Sequence, residues 1–390
     1  MNPVLLEGVR YFTRETGILS GLSAACGTRE RTETAMDGEV TGRSLFDLAS
    51  VTKLFTGLCL MKMKEDGLLD PGRPVSYYDS RFRKLGEKTV WDLMTFAGTI
   101  RTPVRLDACP DRESALAALF AAEGAEQTDR RVYSDIPAMI LKYVAEAVGG
   151  MPLAECVRKT VLEPAGMKET WARVPEERRG DCQSYDREHR MEQGRYILRT
   201  GLRPGVPHDP KAAVIQGDTG DLCGHAGLFS TLEDMERLAR ALLAGRLLKP
   251  EGLAQMAVNR TGRMLPDGSY TQYLGYCCYR RHPDQYYSEI PAHMSDAAFG
   301  IGGFTGNHFS VDPGTGWYTV MLGNRVRDRL TVLLPPEGRR REDYGLRADG
   351  TGEIRWRDGT VHPSSVNYVH QKDEHLHAVI ARMLTREEGE

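Results

Sequence analysis

The stretch Ser44-Leu45-Phe46-Asp47-Leu48-Ala49-Ser50-Val51-Thr52-Lys53-Leu54 stands where an extended segment gives way to an apolar helix ending near Gly67. Residues three apart on a helix share a face, so the Lys53 amine can approach the Ser50 hydroxyl. A serine hydroxyl is a poor nucleophile until a base removes its proton, and a lysine can be that base only when its own pKa is lowered. Burial, a helix N-terminus and neighbouring cations all act that way, because each disfavours the ammonium form. The pair therefore reads as nucleophile and proton acceptor. The plainer reading makes Ser50 a helix cap and Lys53 a surface residue of the first turn. Against it, this is the only S-x-x-K in the chain, and it occupies the early strand-to-helix junction that the mechanism requires.

Outward from this helix, Val4 to Glu15 carries apolar residues at helical spacing, and Ile18 to Cys26 and Glu33 to Val40 are short, Gly-bounded and strand-like. The far end mirrors that order. Phe299 to Thr305, His308 to Asp312 and Trp317 to Leu322 read as consecutive strands. A last helix follows, with Val369, Leu376, Val379, Ile380, Met383 and Leu384 on one stripe. Between the ends lie helical patterns at Val51 to Lys64, Thr89 to Thr95, Arg112 to Ala122, Ile136 to Val148, Leu153 to Val161 and Leu232 to Leu243. The expectation is an α+β fold: one antiparallel sheet built from both termini, covered by the first and last helices, with an inserted helical lobe and a cleft between. In domain terms this is a single catalytic unit over 1–390. Its α/β part takes about 1–50 plus 295–390, and the lobe with its inserted loops takes about 51–294.

Two further elements belong to the same cleft. Val132-Tyr133-Ser134-Asp135-Ile136-Pro137 precedes an apolar helix, and a Tyr-x-Asp element there can present a phenol to the Ser50–Lys53 pair and relay a proton to the leaving group. Read plainly, Ser134 or Asp135 caps a helix with Pro137 in its first turn. The run Phe299-Gly300-Ile301-Gly302-Gly303-Phe304-Thr305-Gly306-Asn307-His308 clusters glycines in a strand, which suggests close approach of a backbone or ligand. An amide of this strand, with that of the nucleophile, would form an oxyanion hole. A dinucleotide loop fails on spacing, since G-x-G-x-x-G from Gly300 would need glycine where Thr305 stands.

With 41% apolar and 27% charged residues in 390, the chain should bury a full core and stay soluble. Its 51 basic and 54 acidic residues leave a net charge of -3 and no field for nucleic acid or anionic lipid. Arg339-Arg340-Arg341 runs straight into Glu342 and Asp343, as a solvated loop does. The N-terminus shows no secretory pattern and no segment approaches a membrane span, so a cytoplasmic protein with neither nucleic-acid nor membrane partners is expected. Eight cysteines without C-x-x-C spacing fit reduced thiols.

Taken together, these segments resemble the serine β-lactamase-related family, which includes class C β-lactamases, carboxypeptidase-type penicillin-binding proteins, esterases and a few acyltransferases. The likeness runs over most of the chain. Phe46 to Lys53 resembles the nucleophile segment and Tyr133-Ser134-Asp135 the second motif. Leu162-Glu163-Pro164-Ala165-Gly166-Met167 and Gly224-His225-Ala226-Gly227-Leu228-Phe229-Ser230-Thr231 agree with the esterase-like branch. The resemblance implies acylation of Ser50, proton transfer through Lys53 and Tyr133, an oxyanion hole from the backbone N–H groups of Ser50 and Phe304, and a substrate groove with Asp135, Ile301, Gly302 and Gly303. The substrate would be a small ester, amide or lactam.

The sequence departs from the family in two places. Ile301 stands where a Lys or His is usual, and an isoleucine can neither carry charge nor donate a hydrogen bond. Relatives commonly carry a His near Phe96. Both losses point to an esterase or acyltransferase working on an uncharged acyl group rather than to D-alanyl carboxypeptidase or β-lactamase activity. They also motivate a third reading, a catalytically silent relative that binds a ligand in the same cleft.

Other chemistries find less support. No G-x-S-x-G elbow is present for a Ser-His-Asp enzyme. His225, between small residues, reads as a structural histidine. His370, His375 and His377 fall at offsets of five and seven, whereas zinc ligands on one helix usually fall three or four apart. Neither metal nor cofactor is expected, and oligomeric state is not legible.

Overall fold

Strand segments from the two ends of the chain meet in one sheet. The computed structural model describes residues 2–125, 133–285 and 288–387. Its main sheet is six-stranded and antiparallel, in the spatial order Thr32–Gly38, Gly21–Gly27, Trp317–Gly323, Asn307–Asp312, Phe299–Gly303, Tyr279–Arg280. Ala24 pairs with both Ala35 and Met321, and Gly303 pairs with Asn307. The fold is α+β, as expected.

Side chains alternate across the strands and divide the core in two. Leu22, Ala24, Cys26 and Met321 pack with Leu5, Val9 and Phe12 of the N-terminal helix and with Leu376 and Ile380 near the C-terminus. Ala25, Phe299, Ile301, Phe309, Val311, Tyr318, Val320 and Leu322 face the other way, onto a cluster that holds Leu54, Phe55 and Leu58 of the helix Thr52–Glu65. That helix is buried from Thr52 through Met61, so it crosses the interior rather than lying on it.

The central region departs from the expected helical lobe. Glu188–Glu192 and Arg195–Arg199 form a hairpin, and Leu330–Leu334 joins it by parallel pairing with the first strand. Both strands begin and end in charged residues, which hides the alternation. The turn residues Gln193 and Gly194 have φ of 50° and 75°, the left-handed pair of a two-residue hairpin turn. A second hairpin, Glu353–Arg355 with Val361–Pro363, also escaped the sequence reading. The terminal helix is not continuous: α-helical turns at Tyr368–Gln371 and from Ala378 flank a π-helical stretch, Lys372–His377. No helix of the described residues is long and apolar enough to cross a membrane. All eight cysteines are free thiols.

Candidate active site

Ser50 sits in a 3-10 turn, Ala49–Val51, at the head of the helix Thr52–Glu65. Ala49 takes the left-handed φ of 46°, unusual for a residue with a Cβ. Asp47 holds that turn: its carboxylate accepts from the Ala49 amide at 2.9 Å and from the His208 amide at 2.6 Å. The Asp47 carbonyl in turn accepts from Thr305 Oγ1 at 2.8 Å and Asn307 Nδ2 at 2.6 Å, which ties the nucleophile turn to the sheet. From the other side, Thr56 Oγ1 donates to the Gly224 carbonyl at 2.7 Å, and Thr52 Oγ1 accepts from the Leu228 amide at 3.3 Å. Backbone strain beside a reacting residue persists only when the surroundings over-determine it, and here they do.

Lys53 is fully buried. Its Nζ lies 2.9 Å from Ser50 Oγ, 2.7 Å from Asp135 Oδ1 and 3.2 Å from the His225 carbonyl. The other Asp135 oxygen meets Lys211 Nζ at 3.1 Å, Lys211 reaches Asp209 at 3.3 Å, and Asp209 meets His225 Nε2 at 2.9 Å. Basic and acidic groups therefore alternate along one chain of contacts that ends at the nucleophile. Burial alone would raise the Asp135 carboxyl, but Lys53, His225 and Lys211 outweigh it and hold it well below the usual carboxylate range. Asp209 is held low in the same way, by His225 and Lys211 against burial. The carboxylates of Asp135 and Asp209 and the His225 ring could converge on a metal ion, yet Lys53 and Lys211 already supply positive charge at that point.

Asp135→Asn should leave Lys53 buried without its counter-charge. The expected loss at neutral pH is somewhat below the ~3–5 kcal/mol of a broken buried pair, since Asp135 is 25% exposed. A carboxyl whose folded pKa is depressed contributes stability above its unfolded pKa and loses it as pH falls toward the folded one. Thermal melts of wild type and variant should therefore differ at pH 7 and draw together as pH drops below about 4.

Tyr133 lies beside the pair, its ring centroid 4.8 Å from Lys53 Nζ. The ring is held between Tyr279, stacked at 5.3 Å, and Phe96, tilted at 5.2 Å. Phe96 thus forms an apolar wall behind the phenol. The glycine-rich strand closes the opposite side. A Cβ on Gly303 would fall 2.6 Å from the Leu48 carbonyl, so only glycine lets this strand reach the nucleophile turn. Gly303 also accepts a hydrogen bond from Tyr368 Oη at 2.8 Å.

A cavity of about 470 Å³ opens over these groups, and Ser50, Tyr133, Asp135, Gly302, Gly303 and Phe304 all line it. Ile301 does not. Its side chain is wholly buried in the apolar core beneath the strand, so the expected contact with substrate is corrected to a packing role. Alternation is the reason: the residue turns toward the core helix while Gly302 faces the cavity. Asp135 is also more than a groove residue, because its carboxylate pairs directly with Lys53.

The lining is more polar than an apolar-substrate reading implies. Arg105, Arg190, Arg199, Lys211 and Arg325 all contribute. Four of them pair with carboxylates: Arg105 with Asp107, Arg190 with Glu192, Arg199 with Glu188, and Lys211 with Asp135 and Asp209. Arg325 makes no ion pair among the described residues. Its guanidinium lies between the rings of Phe304, 4.7 Å away, and Tyr368, 4.6 Å away, and donates to the Thr331 carbonyl at 2.6 Å.

The family model described as Beta-lactamase matches residues 14–335. The chain belongs to the Beta-lactamase family. As such it is a serine hydrolase of the β-lactamase and penicillin-binding-protein type. A Salmonella schwarzengrund protein named "Putative D-alanyl-D-alanine carboxypeptidase" is 26% identical over 319 residues, which span 73% of this chain and 70% of the relative. Among solved structures, a simvastatin synthase mutant from Aspergillus terreus superposes with a TM-score of 0.62 at 12% identity, over 98% of this chain and 97% of that one. A hydrolase with promiscuous acyltransferase activity, EstCE1, gives 0.60 at 18% identity, over 82% and 92%. At such identities the likeness is one of fold.

For this Beta-lactamase-family chain, sequence reading missed Asp209, Lys211 and Arg325. Asp209 carries a local signal, since Asp-Pro is a helix start, and its side chain does cap the helix Pro210–Ile215. Nothing local marks its contact with His225, which is made across the fold. His225 meets Asp209 through Nε2, and its carbonyl adds a contact to Lys53.

Proposed function

We propose that the chain forms a covalent acyl-enzyme on Ser50 and acts as an esterase or acyltransferase on small, uncharged acyl groups. Lys53 rests as the partner of Asp135, and once its amine has given up its extra proton to solvent it takes the Ser50 proton as Oγ attacks the ester carbonyl. The negative charge that develops on the carbonyl oxygen is received by the Ser50 and Phe304 amides. The ammonium formed on Lys53 is stabilised by Asp135 and the His225 carbonyl. The C–O bond to the leaving group then breaks, and Lys53 and Tyr133 return the proton to the departing alkoxide. Water or an added alcohol attacks the acyl-enzyme by the reverse path. The contact that carries this reading is Lys53 Nζ to Ser50 Oγ at 2.9 Å, between a fully buried amine and a hydroxyl that lines the cavity.

The choice of acyl group rests on charge. Four of the five cationic residues lining the cavity are matched by the protein's own carboxylates. Arg325 favours a second reading, cleavage of a carboxylate-bearing D-alanyl peptide, which the name of the Salmonella relative also suggests. Substrate ranking separates the two. Short-chain aryl esters are expected to show a higher kcat/KM than penicillins or D-Ala-D-Ala peptides on the purified protein; the opposite order would favour the carboxypeptidase reading.

A further inference from the structure

The strand Glu188–Glu192 shows two faces. Glu188 and Arg190 belong to the active-site side: Glu188 pairs with Arg199 and His208, and Arg190 lines the cavity. His189 turns the other way. It is 2% exposed, and neither ring nitrogen has a hydrogen-bond partner. A buried imidazole carries a donor and an acceptor, and leaving both unmet costs free energy that folding rarely tolerates without return. Trp356 stands edge-on to its ring at 4.5 Å, and His362 stacks on it at 3.7 Å.

His362 comes from the second strand of the hairpin Val361–Pro363, and Asp328 from the loop that leads into Leu330–Leu334. One donor atom from each of His189, His362 and Asp328 lies within 4.8 Å of the others. Coordination exchanges one existing contact for the ion: His362 Nε2 lies 2.8 Å from Thr360 Oγ1 and Nδ1 lies 3.3 Å from the Asp328 carbonyl, and the ring must give up one of the two and splay from its 3.7 Å stack on His189 for the nitrogens to converge. Arg187 holds one Asp328 carboxylate oxygen, Oδ1, at 2.6 Å, and a carboxylate has a second.

We propose that His189, His362 and Asp328 form a binding site for a divalent transition-metal ion of the zinc class. Two imidazoles and one carboxylate suit zinc, cobalt or nickel and leave the rest of the coordination shell to water. The ion fastens three elements far apart in sequence and braces the strand whose opposite face presents Glu188 and Arg190 to the active site. Its role is structural, since these ligands face away from Ser50. No two of its ligands share an element, so helical spacing of histidines does not mark such a site.

The test is zinc chloride titration of the purified full-length protein after chelator dialysis, read by calorimetry, with cobalt(II) absorption as a second measure. Wild type should take up one ion per chain with a rise in melting temperature. His189→Gln and His362→Gln should abolish that uptake. Asp328→Asn, at a partly exposed position that should fold normally, should weaken it about tenfold or more. The Asp135–Asp209–His225 cluster serves as control, and Asp209→Asn should leave the stoichiometry unchanged. Absence of saturable uptake by wild type, as a buried water filling the gap would give, overturns the proposal. So does uptake undiminished in all three ligand variants, or a cobalt spectrum dominated by thiolate bands.

Discussion

Ser50→Ala is expected to lower kcat/KM for an aryl ester by about 10⁴- to 10⁶-fold, the range lost when a nucleophile is removed from a covalent mechanism. What remains should be the modest catalysis that oxyanion donors and binding give a bound water. Folding should be nearly untouched, because the hydroxyl is a partner to Lys53 and not a support for the turn. The turn is held by Asp47, Thr305 and Asn307. A melting temperature within a few degrees of wild type, together with the collapse in rate, would separate chemistry from stability. A loss of less than tenfold would mean that another residue carries the reaction.

The second large effect belongs to Lys53. Lys53→Met keeps the length of the side chain and removes the base, and kcat should fall about 10²- to 10⁴-fold with a smaller change in KM. Asp135 keeps Lys211 at 3.1 Å, so the carboxylate is not stranded. Lys53→Arg is the sharper variant. A guanidinium preserves the charge beside Asp135 yet cannot give up its proton in a protein. If Lys53 only balanced Asp135, arginine would restore activity. If it accepts the Ser50 proton, arginine should be as inactive as methionine.

The parts of this molecule legible in the sequence are those written in local periodicity. The strands near both termini alternate or run apolar because each face of the sheet is covered. Ser50 and Lys53 are one turn apart, so their contact follows from helix geometry alone. Tyr133 and the glycine-rich strand were found by order and composition, and the cavity includes both. The hairpin Glu188–Arg199 was hidden because Glu188 and Arg199 pair with each other at 2.7 Å, a cross-strand contact that reads as two surface charges until the strands are aligned. Lys211 was invisible for a related reason: its value lies in reaching Asp135, 76 positions earlier, through the fold. Ile301 shows the opposite error. Motif order suggested a contact with substrate, but the burial of its side chain decides what it can touch.

The central claim is that one hydroxyl is made reactive by one buried amine. Fluorophosphonate labelling followed by intact mass and peptide mapping addresses it most directly, run in parallel on wild type, Ser50→Ala and Lys53→Met. The expected result is a single adduct on the peptide containing Ser50 in wild type, none in Ser50→Ala, and labelling slowed at least a hundredfold in Lys53→Met. An adduct on a different residue, or equal labelling rates with and without the amine, would contradict it.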